Sequence, residues 1–207
     1  TQGRKLYPDN TELRNAELNL YLKSGNQDAL LKKLEEAVAK EPNNPELLFN
    51  LGNGYNNLAF PKDANGKELP KPANYAELIN KAEGAYLQAI AADKQSKPEY
   101  SYTLGALYFN QASGINNEMN QLGTSAADQK KYDDLAVQRG AMFDKALPHL
   151  EKVYTSLDAN VAKLNQEDKI TYQSVIFALR EIYAKQSKMD KVAEMKKKLD
   201  AFRAAEQ

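Results

Sequence analysis

The chain has 207 residues, with 28 Lys plus Arg against 28 Asp plus Glu, and it contains no cysteine. The even charge offers no net field toward nucleic acid, an anionic membrane or a basic partner, and the missing thiols exclude disulfides, cysteine nucleophiles and cysteine-bound zinc. With 42% apolar and 27% charged residues the composition is that of a folded chain, and no apolar run approaches the ~20 residues that a bilayer span needs.

The opening Thr1-Gln2-Gly3-Arg4-Lys5 lacks an initiator Met and any hydrophobic signal core. It therefore reads as the start of a processed or truncated form, with any targeting segment upstream of residue 1. From Thr11 to Tyr21, the positions Leu13, Ala16, Leu20 and Tyr21 fall on one helical face. After a break at Ser24-Gly25-Asn26, the residues Leu30, Leu31, Leu34, Ala37 and Val38 repeat that spacing as far as Glu41-Pro42-Asn43-Asn44-Pro45. Gly and Asn tolerate left-handed backbone at helix ends and Pro cannot continue a helix, so each break has a mechanism. A further helix opens at Pro45 and carries Leu51-Gly52-Asn53-Gly54-Tyr55. Pro61, Asp63, Asn65-Gly66, Pro70 and Pro72 then mark residues 59–74 as an exposed loop. Next comes a small–bulky–small pattern at Ala82, Tyr86 and Ala89, which lets two helices approach closely.

The Leu-Gly pattern recurs at Leu104-Gly105-Ala106-Leu107-Tyr108, and in degraded form at Leu179-Arg180-Glu181-Ile182-Tyr183. The small–bulky–small pattern recurs more loosely at Ala146, Leu150 and Val153. Between these, residues 113–139 are rich in helix formers and read as an extension of two helices turning near Gly123-Thr124-Ser125. That pair is expected to protrude as a long antiparallel hairpin.

The run from Pro42 to Tyr55, with these recurrences, resembles the tetratricopeptide repeat (TPR) family. In that family the Leu-Gly pair admits close helix packing and the later Tyr fills the space between helices. The resemblance implies one all-α domain over 1–207, a right-handed superhelical stack of about four helical hairpins, the third with elongated helices. The repeats would cover about 11–44, 45–97 with a loop insertion at 59–74, 98–158 with a helical insertion at 113–139, and 166–205. The separation of Gly52 from Gly105 is about 19 residues longer than the ~34-residue period of the family, which the loop insertion accounts for. More narrowly, Lys145-Ala146-Leu147-Pro148-His149-Leu150-Glu151-Lys152 and the ending Leu179 to Tyr183 with Met189-Asp190-Lys191 resemble exported TPR proteins of Bacteroidetes-type bacteria. That resemblance implies a periplasmic or secreted location.

Catalytic chemistry finds little support. His149 is the single histidine, so a multi-histidine metal site is impossible and the residue reads as structural or surface. No GxxxxGK[ST] or GxGxxG run is present, and Gly52-Asn53-Gly54 lies inside a helix. Asp63-Ala64-Asn65-Gly66-Lys67-Glu68 fails as a calcium loop, because aligning Gly66 with the required glycine puts prolines at the first and last ligand positions. Lys196-Lys197-Lys198 sits between Glu194 and Asp200 and reads as a solvated helix face rather than a nucleic-acid patch. The expectation is a chain that is not an enzyme, needs no cofactor or metal, and takes a protein or peptide as partner.

The resemblance also implies where that partner sits, since the first helix of each TPR hairpin lines the concave groove. It places there Asn15, Asn19 and Lys23, then Phe49, Asn53, Asn56 and Asn57, then Tyr102, Phe109 and Asn110, and last Phe177, Glu181 and Lys185. Asn19 and Asn53 occupy equivalent sites, and an amide that both donates and accepts can clamp an extended backbone. Phe49, Tyr102 and Phe177 likewise form an equivalent aromatic series. Carboxylate-clamp adaptors of the family carry basic residues where Phe49 and Tyr102 stand, so a terminal carboxylate is not the expected ligand. The expected function is a non-catalytic scaffold holding a polypeptide in its groove; the alternative is an assembly protein that self-associates or docks through the protruding hairpin.

Overall fold

The computed structural model of the protein describes residues 6–7, 10–24, 26–63, 65–67 and 69–205, without the side chains of residues 15, 19 and 22–24. These residues form eight α-helices: α1 (Thr11–Ser24), α2 (Gln27–Lys40), α3 (Pro45–Ala59), α4 (Tyr75–Ala92), α5 (Pro98–Met119), α6 (Ala126–Asp158), α7 (Gln166–Lys185) and α8 (Met189–Ala205). A short 3-10 turn spans Val161–Lys163, and no strand occurs among the described residues. The chain is thus all-α and built of helical hairpins. It packs as two compact units, Thr1–Ser96 and Lys97–Gln207, where the sequence reads as one continuous array.

Asparagine side chains cap four of the eight described helices. The side-chain oxygens of Asn10, Asn26, Asn44 and Asn165 accept from backbone N–H groups of Leu13, Ala29, Leu47 and Asp168, satisfying donors that the first turn leaves unpaired. Pro45 and Pro98 open α3 and α5, where the missing N–H costs nothing. Ser125 and Asp128 exchange bonds in a capping box that starts α6, fixing the turn expected near Gly123.

In the first unit, α3 and α4 form the tightest hairpin. A Cβ built on Gly52 would lie 2.5 Å from a ring carbon of Tyr86, well inside contact distance. Tyr86, Ala82 and Ala89 are fully buried against that face, and Phe49 stacks on Tyr86 at 5.7 Å between centroids. The loop that follows α3 contains a hydrogen-bonded turn among its described residues. Asp63 Oδ1 accepts from the N–H groups of Asn65 and Lys67, and Gly66 takes the left-handed φ of 79°.

The second unit repeats the device on a longer frame. A Cβ on Gly105 would come within 2.9 Å of Leu150, which with Ala146 and Val153 is buried on α6. Helix α7 runs back along α6, with Gln186 bonded to Asp144, Tyr183 to Glu151 and Tyr172 to Asp158. This register leaves the first part of α6, before Asp144, beyond the end of α7. About 18 residues lie there, or roughly 27 Å of helix at ~1.5 Å per residue. The expected elongated hairpin is this segment with the end of α5, tied by Arg139 to Asn116 and by Lys131 to Glu118.

Tyrosine–carboxylate bonds link successive hairpins inside both units. Tyr55 donates to Glu35 at 2.7 Å and Tyr183 to Glu151 at 2.6 Å. Burial pushes the Tyr55 hydroxyl up to about 12, and its bond to Glu35 adds to the shift. Tyr172 and Tyr183 are raised further by burial first and by their carboxylate partners second. Asp158 is pushed up by burial, but bonds from Lys198 and Tyr172 outweigh this and hold it below the usual carboxylate range.

Two predictions follow from this packing. Gly52→Ala and Gly105→Ala should destabilise by up to about 2 kcal/mol net, because overpacking of ~1–3 kcal/mol opposes the ~1 kcal/mol helix gain. Gly84→Ala and Gly140→Ala, which meet nothing within 4 Å, should instead stabilise by up to about 1 kcal/mol. Thermal circular dichroism of the four variants checks the contrast. For alkali, the unfolded tyrosine ionises near pH ~10 while folded Tyr55 keeps its proton to about 12. Its contribution is therefore complete below pH ~10 and lost as pH rises through that window; melting temperatures from pH 9 to 12 should fall less for Tyr55→Phe.

Candidate functional site

Leu18 of α1, Leu30 and Leu34 of α2 and Leu47 of α3 lie in one layer of the first unit, each less than a tenth exposed. Above them is an open cavity of about 460 Å³, within the size range of protein ligand sites. One wall is a single face of α3. Glu46, Asn50, Asn53 and Asn57 follow at spacings of four, three and four residues, the period of one helical stripe.

The polar groups around this cavity have defined partners. Asn53 Oδ1 accepts a 2.8 Å bond from the buried Tyr86 hydroxyl. No partner of its amide N–H groups is found among the described residues, so Asn53 retains donors for an incoming acceptor. At one end Arg14 of α1, itself only 8% exposed, pairs with Glu41. Glu41 also accepts from the Asn44 amide at 2.8 Å. That bond, and next to it the Arg14 charge, hold the Glu41 carboxyl below its ordinary range against the opposing effect of burial. The arginine charge is therefore compensated within the protein. Glu46 lies in the first turn of α3, and no ion pair engages it among the described residues.

The residues expected in the groove divide. Asn53 and Asn57 line the cavity. Phe49 does not; it is 7% exposed and packs on Tyr86 in the hairpin core. Asn56 is half-buried outside the cavity lining. The side chains of Asn15, Asn19 and Lys23 lie outside the described residues, so the pairing of Asn19 with Asn53 carries no geometry. Asn50, Glu46, Arg14 and the leucine floor were not singled out from sequence. The stripe at 46, 50, 53 and 57 was legible in principle, as a helical period running through polar residues.

In the second unit, Phe109 and Phe177 come together at 6.5 Å, and Phe109 also meets the buried Phe143 at 6.0 Å. Phe177 keeps 47% of its surface exposed, with the Arg180 guanidinium 5.5 Å from its ring centre and Arg180 bonded to Glu181. Tyr102 is half-buried, and Asn110 and Lys185 are exposed. Here the aromatic group is Phe109, Phe143 and Phe177 across α5, α6 and α7. His149 stacks beside Tyr108 at 6.1 Å, and burial, then Lys152, holds its imidazole below the ordinary range. Among the described residues no three His, Asp or Glu side chains gather to hold a metal ion, and no helix is long and apolar enough to cross a membrane.

These features define an all-helical hairpin protein with a leucine-floored, asparagine-walled cavity. No family model and no curated protein matches the chain. Among solved structures, the crystal structure of MamA is 17% identical, with 91% of this chain and 95% of that chain covered and a TM-score of 0.37. A crystal structure of MamA protein is 16% identical over 94% of this chain and 92% of that one, with a TM-score of 0.40. Identity and score are both low, so the fold assignment rests on the hairpins themselves and on the close approaches at Gly52 and Gly105.

Proposed function

We propose that the chain is a non-catalytic interaction scaffold that holds a polypeptide segment in the first unit's cavity. The observation that carries this reading is the pairing of an apolar floor with amide side chains on one helical stripe. Such a site can take a side chain below while hydrogen-bonding an extended backbone above. Asn53→Ala is a poor probe, because it would also strip the acceptor from the Tyr86 hydroxyl. Exposed Asn50 and Asn57 are the better positions. Peptides selected from a random display library on the full chain should lose at least tenfold in affinity for Asn50→Arg/Asn57→Arg, with an unchanged helical circular-dichroism spectrum. A library that yields no binder, or binders indifferent to the double variant, would end the reading. The exported location implied by the narrower resemblance belongs to the same proposal, and cell fractionation with an antibody to the protein tests it.

A second reading draws on the long hairpin. Val137 is 75% exposed and Tyr132 43% exposed on the part of α6 that extends past α7, two separate apolar side chains that a docking or self-association contact would cover. Sedimentation should then give a concentration-dependent dimer that Val137→Asp/Tyr132→Asp abolishes. A monomer at all concentrations removes self-association.

A further inference from the structure

Resting on the polypeptide-holding reading, we infer that the first unit's cavity takes an internal segment presenting an aliphatic side chain to the leucine floor beside a lysine or arginine facing Glu46. Three observations fix this chemistry.

The first is the floor. Leu18, Leu30, Leu34 and Leu47 offer carbon only, so the entering group must be apolar to avoid losing its water without compensation. A space of about 460 Å³ holds a leucine-sized side chain together with the backbone that carries it.

The second is the amide of Asn53. Tyr86 donates to its carbonyl oxygen, which leaves the amide N–H groups of this lining residue without a partner among the described residues. They call for an acceptor, either a peptide carbonyl or a carboxylate.

The third decides between those two. Among the described lining residues Arg14 is the cation, and its charge is already met by Glu41, which Asn44 holds in place. Glu46 on the same lining has no ion pair among the described residues. Among the described residues an entering carboxylate would therefore meet an uncompensated negative charge and no available positive one. A neutral carbonyl avoids this, and a neighbouring cation complements Glu46 directly. The gain from that cation is small, about threefold, because the pair is exposed and the N-terminus of α3 already favours the carboxylate.

The test uses 15N-labelled full-length chain and four decapeptides of otherwise Ser, Gln and Ala. Three are acetylated and amidated, with Leu-Lys, Ala-Lys or Leu-Ala at the centre; the fourth ends in Leu with a free carboxylate. Titration should move the side-chain amide signals of Asn50, Asn53 and Asn57 most strongly with Leu-Lys. Ala-Lys should bind at least about tenfold more weakly, and Leu-Ala about threefold more weakly. Glu46→Gln should erase the difference between Leu-Lys and Leu-Ala while leaving the preference for Leu. The inference is overturned if Ala-Lys binds as well as Leu-Lys, if the free carboxylate binds best, or if Glu46→Gln keeps the lysine preference. It is also overturned if acetyl-leucine amide alone shifts the same signals equally, since the site then takes a small molecule. Failure of all four peptides while library-selected binders still respond to Asn50→Arg/Asn57→Arg overturns this inference and leaves the scaffold reading standing. Failure of both removes the scaffold reading itself.

Discussion

The close approach of α3 to α4 at Gly52 and Tyr86 organises the first unit. A 2.5 Å Cβ distance means that no side chain fits at position 52 while the ring stays where it is. The fully buried ring reaches across α3 and delivers its hydroxyl to Asn53 at 2.8 Å. A packing contact thereby sets the direction of a polar group on the neighbouring face. The hairpin core and the cavity wall share one helix, and Asn53 stands at the border between them.

That border explains what the sequence could and could not disclose. Hairpins, caps and the Leu-Gly approaches were legible because periodicity, Pro and Asn punctuation and glycine each act locally. The face of α3 that lines the cavity was less so. Successive residues turn by about 100° around a helix. Glu46, Asn50 and Asn57 then fall roughly 20–60° to one side of Asn53, while Phe49 and Gly52 fall roughly 40–100° to the other. Family resemblance places Phe49 and Asn53 in one row, yet the size of Tyr86 draws Phe49 into the hairpin. The elongated third hairpin was legible as helix-forming composition; the register of α7 on α6, which determines how much of it extends, depends on pairs such as Asp144–Gln186 far apart in sequence.

Each unit treats the space between its two first helices differently. In the second unit, Phe109 of α5 meets Phe177 of α7 over the buried Phe143, and carbon fills the gap. In the first, the corresponding gap between α1 and α3 has leucines only at its base and amides along its side. The same hairpin geometry thus closes one gap and leaves the other open, through the choice of side chain on an inner stripe.

The open state of that gap has a physical basis. Covering the leucine floor would gain little, since those four residues together expose only a few tens of Å², worth under about 1 kcal/mol. Bringing α1 onto α3 would strip water from Asn50, Asn53 and Asn57, at about 1–3 kcal/mol for each buried amide left without a partner. Arg14 adds a tether, holding α1 to the α2–α3 turn through Glu41 and Asn44. Collapse is therefore unfavourable by several kcal/mol on these terms. An entrant that brings both apolar carbon and backbone carbonyls changes the balance. It buries its own carbon on a floor that is already dry and supplies the acceptors whose absence keeps the cavity open.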